Sequence, residues 1–227
     1  MWANNPNVWK QTVKSLNSDI FVRCERAQII VSIIWDAAIL YPKSVNIARD
    51  KGIHLRPFMQ YLLQSTSDAA NCNIIAHSMG NRLFQESIQP VLQSQNCHID
   101  NYFSLAADLE ENIFEKKQPL EKLTNICDNV TVYCHNNDRT LKVSELLNKN
   151  GRLGIEGLSN SVLRDSSFTL VDVTLITDNE GLGAKLFNHR YYYTSPAVKE
   201  DIRLVLMGQI NPKRASSGSF NSYILQP

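Results

Sequence analysis

The sequence predicts an α/β fold in which helices flank a mostly parallel sheet. Strand-like and helix-like segments alternate along the chain at intervals of roughly 20–30 residues, the pattern of strands joined by helical crossovers. The strand-like runs are short and apolar, whereas the helix-like segments carry apolar residues at helical spacing. We assign residues 1–210 to one α/β domain and the Ser- and Asn-rich residues 211–227 to a flexible tail.

Five apolar, β-branched runs account for the predicted strands. The first, Gln28–Trp35, is nearly continuous in Ile and Val, as expected for a strand that is buried on both faces. The others are shorter and end at polar or small residues. The five runs lie at residues 28–35, 72–77, 101–107, 130–134 and 168–174.

Apolar residues at helical spacing predict the helices between these strands. The longest stripe runs from Ser44 to about Gln64, and Pro57 within it predicts a kink or a late helix start. The remaining predicted helices lie at residues 8–16, 79–95, 113–125 and 140–147, with a last helix that begins at Pro196.

Composition narrows the class of protein. With 43% hydrophobic and 20% charged residues the chain is globular, and its formal net charge of +1 argues against nucleic-acid binding, which needs a concentrated basic face. No run approaches the roughly 18 apolar residues of a membrane span. The residues after Met1 form no apolar signal-peptide core. Five scattered cysteines without zinc spacing favour free thiols in a cytoplasmic protein without metal or cofactor.

The stretch Asn73–Arg82 predicts the functional centre. It passes from an apolar strand through Ser78 into a helical pattern, which is the arrangement of a nucleophile elbow. The tight turn requires small residues two positions before and after the serine, and these are Ala76 and Gly80. The following helix would direct its first N–H groups at the serine. The alternative is that Ser78 only caps that helix.

Acyl transfer by serine requires an imidazole to take its proton and a carboxylate to orient the imidazole. Along the chain Ser78 is followed by Asp138 and His189, each in a loop at or beyond the end of a predicted strand. This is the order nucleophile, acid, histidine of α/β-hydrolases. Asp108, which also follows a strand, is the alternative acid, and it could instead cap the next helix.

Four other histidines compete with His189 for the role of base. Of all five, only His189 lies in the loop between the last predicted strand and the last helix, which is where the base is expected. His77 is inside the elbow and, as the residue next to the serine, is expected to point away from it. The other three lie in a helix, in a helix–strand connection and before the acid: His54, His98 and His135.

The run Asn73–Leu83 resembles the nucleophile motif of a family of bacterial α/β-hydrolases of unknown function, DUF900. The likeness extends over about residues 28–206, and the elbow and histidine blocks are its specific parts. Further blocks with the likeness are Ile34-Trp35, Tyr41–Leu63, Ser104–Asp108, Val132–Ser144, Arg152–Gly154, Val171–Val173 and His189–Tyr192. The resemblance implies an α/β-hydrolase fold with Ser78, Asp138 and His189 as the triad, and it implies no substrate.

One departure from this layout concerns the oxyanion hole. Such hydrolases have an earlier strand that ends in His-Gly and supplies a second N–H, and no His-Gly dipeptide occurs in this chain. The layout places that strand before residues 1–24, so we expect it to be missing or replaced. The Met79 N–H remains as the first donor, and the loss of one donor typically costs about 2.7–4 kcal/mol of transition-state stabilisation.

The sequence therefore favours a serine hydrolase that cleaves an ester or related acyl bond of a small molecule. The main alternative is a binding protein on a hydrolase scaffold, because the second oxyanion donor is not visible. A nucleotide-binding domain lacks support, since Gly181-Leu182-Gly183 is not a complete phosphate loop. A metal hydrolase built on His135, Asp138 and Asp172 is a further alternative, although the spacing has no ligand logic.

Overall fold

Among the residues that the structure describes, the sheet has six strands in the order β1-β2-β3-β4-β6-β5, and every pairing is parallel except the antiparallel pair β5–β6. A computed structural model describes residues 14, 17–21, 31–35, 41–66, 71–94, 96–177 and 187–227. The strands are β1 (Asn73–His77), β2 (Ile99–Leu105), β3 (Cys127–Cys134), β4 (Phe168–Asp172), β5 (Arg214–Ser216) and β6 (Ser222–Leu225). The predicted mostly parallel sheet is confirmed.

Helices connect the strands and flank the sheet. They are α1 (Tyr41–Thr66), α2 (Gly80–Ile88), α3 (Arg139–Asn148), α4 (Leu153–Glu156), α5 (Tyr191–Thr194) and α6 (Pro196–Leu206). The described residues also include a π-helical turn (Asn17–Phe21) and the 3₁₀ turns Gln89–Val91, Leu123–Asn125 and Val162–Arg164. Within the described ranges, no helix combines the length and the hydropathy that a membrane span requires.

Two apolar clusters cover the two faces of the sheet. Neighbouring residues of β2 separate into them: Tyr102 packs in one cluster with Leu63 of α1 and Phe84 of α2. Phe103 packs in the other with Ile202 of α6. This alternation follows from the period of two along a strand. Because both faces are covered, functional groups are left to the loops at the carboxyl ends of the strands.

α1 is continuous from residue 41, so the predicted late start at Pro57 is wrong. The helix packs closely on α2 at Gly52, where an added Cβ would lie 2.6 Å from Glu86 Cβ and 2.8 Å from the Leu83 carbonyl oxygen. This close approach requires glycine. We infer that burial against α2 outweighs the single backbone hydrogen bond that proline removes.

Two other expected elements differ from the structure. Residues 28–30 of the first predicted strand lie outside the described residues, and Val31–Trp35 form no strand, with Val31 53% and Ile34 48% exposed. β-propensity alone provides no neighbouring strand, and a strand needs one for its hydrogen bonds. The segment 113–125 consists of turns with one 3₁₀ turn, and Pro119 within it cannot donate a helical hydrogen bond. Of the predicted helix 8–16, only residue 14 is described.

The prediction of a flexible tail at 211–227 is wrong. β6 pairs in parallel with β4, and β5 pairs with β6 at the edge of the sheet. Ser222 and Leu225 face the interior, and Leu225 is fully buried. The Ser- and Asn-rich composition indicated a solvated, flexible segment. A four-residue strand, however, needs only one or two buried side chains to pair with an existing sheet.

A buried ion pair attaches this C-terminal hairpin to α6. The Arg214 guanidinium donates to both oxygens of Asp201 from Nε and Nη2, each at 2.8 Å, and Asp201 is fully buried. The Tyr133 hydroxyl donates to the same carboxylate at 2.6 Å. Burial, followed by the adjacent carboxylate, raises the pKa of Tyr133 well above its ordinary value, so this hydroxyl remains a donor.

Arg214→Met is expected to lower the free energy of unfolding by about 3–5 kcal/mol, because it leaves the buried Asp201 carboxylate without its cation. Urea unfolding followed by circular dichroism measures the loss. Arg164→Met, at an exposed arginine, is the matched control and is expected to change stability by less than about 0.5 kcal/mol. Equal, small losses in both variants would contradict the importance of the pair.

Candidate active site

Ser78 occupies a strained turn between β1 and α2. Its φ is +53°, in the left-handed region that residues with a side chain rarely adopt. Its N–H donates to the Leu105 carbonyl at 2.9 Å, and its own carbonyl accepts from the Asp108 N–H at 3.3 Å. Met79 is the N-cap residue of α2, so its N–H belongs to the first turn, where the helix provides no acceptor. This is the backbone of the predicted elbow.

Asn81, which is not among the predicted site residues, stabilises the elbow from the first turn of α2. It is fully buried, and its Nδ2 donates to the carbonyls of Ala76 and Ser78, each at 3.1 Å. Its Oδ1 accepts from the hydroxyls of Tyr102 at 2.6 Å and Ser104 at 2.9 Å. A polar residue on the buried side of an amphipathic helix was the available signal, since such a residue needs partners.

The structure brings Ser78, His189 and Asp138 together, although they are far apart in the sequence. His189 Nε2 lies 2.9 Å from Ser78 Oγ, and His189 Nδ1 lies 2.6 Å from Asp138 Oδ2. All three side chains are buried, with His189 8% exposed. Both contacts are met when Nδ1 carries the imidazole proton and Nε2 accepts from the hydroxyl. In that state the imidazole is placed to remove the serine proton.

The two carboxylate oxygens of Asp138 have different partners. Asp138 is the N-cap residue of α3, and its Oδ1 accepts from the Leu141 N–H at 3.0 Å. Its Oδ2 remains for His189. The capping bond fixes the carboxylate in one orientation, so the start of α3 determines where the imidazole is held.

Asp108, the alternative acid, belongs to a separate network. Its carboxylate is fully buried and accepts from the Tyr41 hydroxyl at 2.8 Å and from the Ser144 hydroxyl. The guanidinium groups of Arg82 and Arg152 lie 3.6 Å and 3.9 Å from it. Asp108 therefore joins α1, α2, α3 and the segment before α4. The aspartate that contacts the His189 imidazole is Asp138.

Tyr191, two residues after His189, anchors the histidine loop. Its hydroxyl accepts from the Ala106 N–H at 2.9 Å and donates to the Tyr133 carbonyl at 3.1 Å. Ala106, the residue after β2, has a φ of +43°, and the phenol bridges the ends of β2 and β3. Tyr191 is fully buried. Its place in the histidine block was the available sequence signal.

His77 also contacts the histidine. One nitrogen, Nε2, lies 2.9 Å from the His189 carbonyl oxygen and donates to it, and the two rings are 4.7 Å apart. The His77 ring also stacks on Tyr192, with the ring centroids 4.2 Å apart. Burial, and secondarily the neighbouring His189, lowers the pKa of His77 well below its ordinary value, so the ring is neutral. It therefore supports the proposed base without adding charge beside it.

The remaining histidines have other surroundings. The side chains of His54 and His98 are 72% and 43% exposed. His135 is buried, accepts from the Asn137 N–H at Nδ1 and donates from Nε2 to the Ile176 carbonyl. In the part of the chain that the structure describes, no three His, Cys, Asp or Glu side chains are grouped to hold a metal. His135, Asp138 and Asp172, which the metal alternative would use, therefore form no such group.

The expected need for a small residue at Gly80 is weaker than the sequence suggested. Among the described residues, a Cβ added there would meet only the Trp35 ring, at 3.5 Å, which is an ordinary van der Waals contact. Ala76, on the strand side of the elbow, is buried and its carbonyl is bonded to Asn81. Of the two small residues, Ala76 is therefore buried, whereas Gly80 is only partly buried.

Tyr191→Phe is expected to lower the free energy of unfolding by about 1–3 kcal/mol, because it leaves the buried Ala106 N–H and Tyr133 carbonyl without their partner. Urea unfolding measures this loss. Tyr61→Phe, at a tyrosine that is 70% exposed, removes the same hydroxyl and is expected to change stability by less than about 0.5 kcal/mol. A neutral Tyr191→Phe would contradict the bridging role.

His77→Gln is expected to flatten the dependence of stability on pH below about 6.5. The unfolded chain protonates this histidine near its ordinary pKa of 6.5, whereas the native protein does so only at much lower pH. Acidification therefore removes up to about 1.4 kcal/mol of stability per pH unit from the wild type through this group. Unfolding measured at pH 7.5, 6 and 5 tests the difference, and parallel curves for the two proteins would contradict it.

The model of the family described as alpha/beta hydrolase of unknown function (DUF900) matches residues 43–209, which is well over half of the chain. The match includes Ser78, Asp138 and His189, together with strands β1 to β4. No curated protein and no solved structure gives a significant match. The chain therefore belongs to the DUF900 family of α/β-hydrolases, whose function is unknown.

Proposed function

We propose that the protein is a serine hydrolase that cleaves an ester or a related acyl bond of a small molecule. The observation that carries the proposal is the pair of contacts at His189, 2.9 Å to Ser78 Oγ and 2.6 Å to Asp138 Oδ2. A nucleophile bonded to a base that is itself oriented by a carboxylate is the arrangement that acyl transfer requires.

The proposed reaction has two halves. Ser78 Oγ attacks the acyl carbon while its proton passes to His189 Nε2, and the imidazolium is stabilised by Asp138. The proton then passes to the departing alkoxide, so the C–O bond breaks and an acyl-serine remains. Water attacks the acyl-serine with the same imidazole as base, and the acid product leaves as Ser78 regains its proton.

The developing oxyanion would be held by the Met79 N–H at the start of α2. This N–H lies in the first turn of the helix, where the macrodipole favours negative charge. The left-handed Ser78 fixes the turn before the substrate arrives, so little reorganisation is needed in the transition state.

The position of β1 supports the alternative of a weakly active or binding protein. β1 is the first strand in the order of the sheet, so none of the described strands pairs with its outer side. A strand there would be expected to supply the second oxyanion N–H. With only the Met79 donor, turnover would be about 10²–10³-fold below that of a complete oxyanion hole.

A fluorophosphonate probe, which reacts with activated serines, is expected to label the wild type and not Ser78→Ala. His189→Ala and Asp138→Asn are expected to slow labelling and the hydrolysis of p-nitrophenyl esters by about 10²–10⁴-fold, because each removes part of the proton transfer. Intact-protein mass spectrometry and the release of p-nitrophenol measure the two effects.

Ser219→Ala, at an exposed serine in the turn before β6, is the matched control and should be labelled like the wild type. Labelling without ester turnover would favour the binding alternative. A folded wild type that neither reacts with the probe nor turns over esters would rule out the hydrolase. Turnover that survives in Ser78→Ala would show that another group is responsible.

A further inference from the structure

The outer face of α3 carries an apolar surface that belongs to neither of the two apolar clusters. Val143, Leu146 and Leu147 are 54%, 79% and 56% exposed. Their spacing of three and four residues places them on one side of the helix, while Leu141 and Ser144 on the other side are buried against the protein. Three large apolar side chains projecting from one helix face form a patch of the kind that marks an interaction site.

Basic residues border these apolar side chains. Arg139, Lys142 and Lys149 are all exposed, and Arg139 and Lys142 lie one helical turn before Val143 and Leu146. Glu145 is the single acidic residue of α3, and it is partly buried at the edge of this surface. The exposed face of α3 therefore combines protruding apolar side chains with positive charge.

We propose that the exposed face of α3 docks the protein on the surface of an anionic lipid membrane. A helix with this composition lies in the membrane interface with its apolar side chains among the acyl chains. Long basic side chains beside them extend to the anionic headgroups. The positive charge of the α3 face is complementary to an anionic membrane surface. The apolar side chains project from the protein, so they can insert into a bilayer, whereas a helix from another protein would require a groove.

The α3 face lies at the edge of the sheet that carries the proposed active site. α3 begins at Asp138, whose carboxylate holds His189. The neighbouring loop after β4 is joined to the start of this segment by the Asn136 N–H, which donates to Thr174 Oγ1 at 3.1 Å. Leu175, the next residue in that loop, is 51% exposed. Docking through α3 would therefore bring the carboxyl edge of the sheet towards the lipid surface.

Flotation with vesicles tests the proposal, using phosphatidylcholine alone and phosphatidylcholine mixed with phosphatidylglycerol. The wild type is expected to float with the anionic vesicles, less so as salt rises, and weakly with the neutral ones. Leu146→Ser combined with Leu147→Ser is expected to reduce partitioning by at least about 10-fold, because each leucine loses its transfer from water. Lys142→Glu is expected to reduce binding to the anionic vesicles and to leave binding to the neutral vesicles unchanged.

Phe220→Ser is the matched control, since Phe220 is 77% exposed in the turn before β6, at the opposite edge of the sheet. It is expected to bind vesicles like the wild type. Ser78→Ala should also bind unchanged, so the result does not depend on hydrolase activity. Equal unfolding midpoints would show that the variants are folded.

Three outcomes would overturn the proposal. One is a wild type that stays unbound with anionic vesicles at low salt. Another is a double leucine variant that binds as well as the wild type. The third is a wild-type dimer, seen by size-exclusion chromatography with light scattering, that the double variant dissociates. That result would assign the α3 face to a second copy of the chain.

Discussion

A single residue in a left-handed conformation is the constraint on which the rest of the site depends. A positive φ at Ser78 costs of the order of 1–3 kcal/mol, so it persists only where the surroundings determine it. The backbone of Ser78 is bonded on both sides, to Leu105 and Asp108, and Asn81 binds its carbonyl from within α2. β1, β2 and α2 therefore hold the turn together, and the hydroxyl is left at the edge of the sheet.

The other two members of the site are positioned by equally local devices. Asp138 is held because one oxygen caps α3, so the direction of the helix fixes the oxygen that faces His189. His189 is held through its own backbone by His77 and, two residues later, by the Tyr191 phenol between β2 and β3. Each device pairs a side chain with a backbone group: the Leu141 N–H with Asp138, the His189 carbonyl with His77, and the Ala106 N–H and Tyr133 carbonyl with Tyr191. The site is thus an outcome of how these elements end.

Ser78, Asp138 and His189 could be selected from the sequence because parallel strands place their carboxyl ends at one edge. The buried position of Asn81 and the place of Tyr191 in the histidine block mark residues that need partners, but they do not say which partners. Asn81 bonds Tyr102 and Ser104 of β2, and His77 bonds the His189 carbonyl; local patterns do not contain these long-range contacts. Composition indicated disorder for residues 211–227, where pairing with β4 decided the outcome. The apolar run at 31–35 shows the converse, since strand propensity without a described neighbouring strand produced no strand there.

Because β6 pairs with β4 but is made last, the edge of β4 is covered only late in synthesis. β1 to β4 are made before residue 173, whereas the cation that neutralises the buried Asp201 is made later, at Arg214. A nascent chain that has reached α6 therefore still has an open edge at β4 and an uncompensated carboxylate beneath it. The final close packing around α6 must wait until the β5–β6 hairpin has emerged from the ribosome.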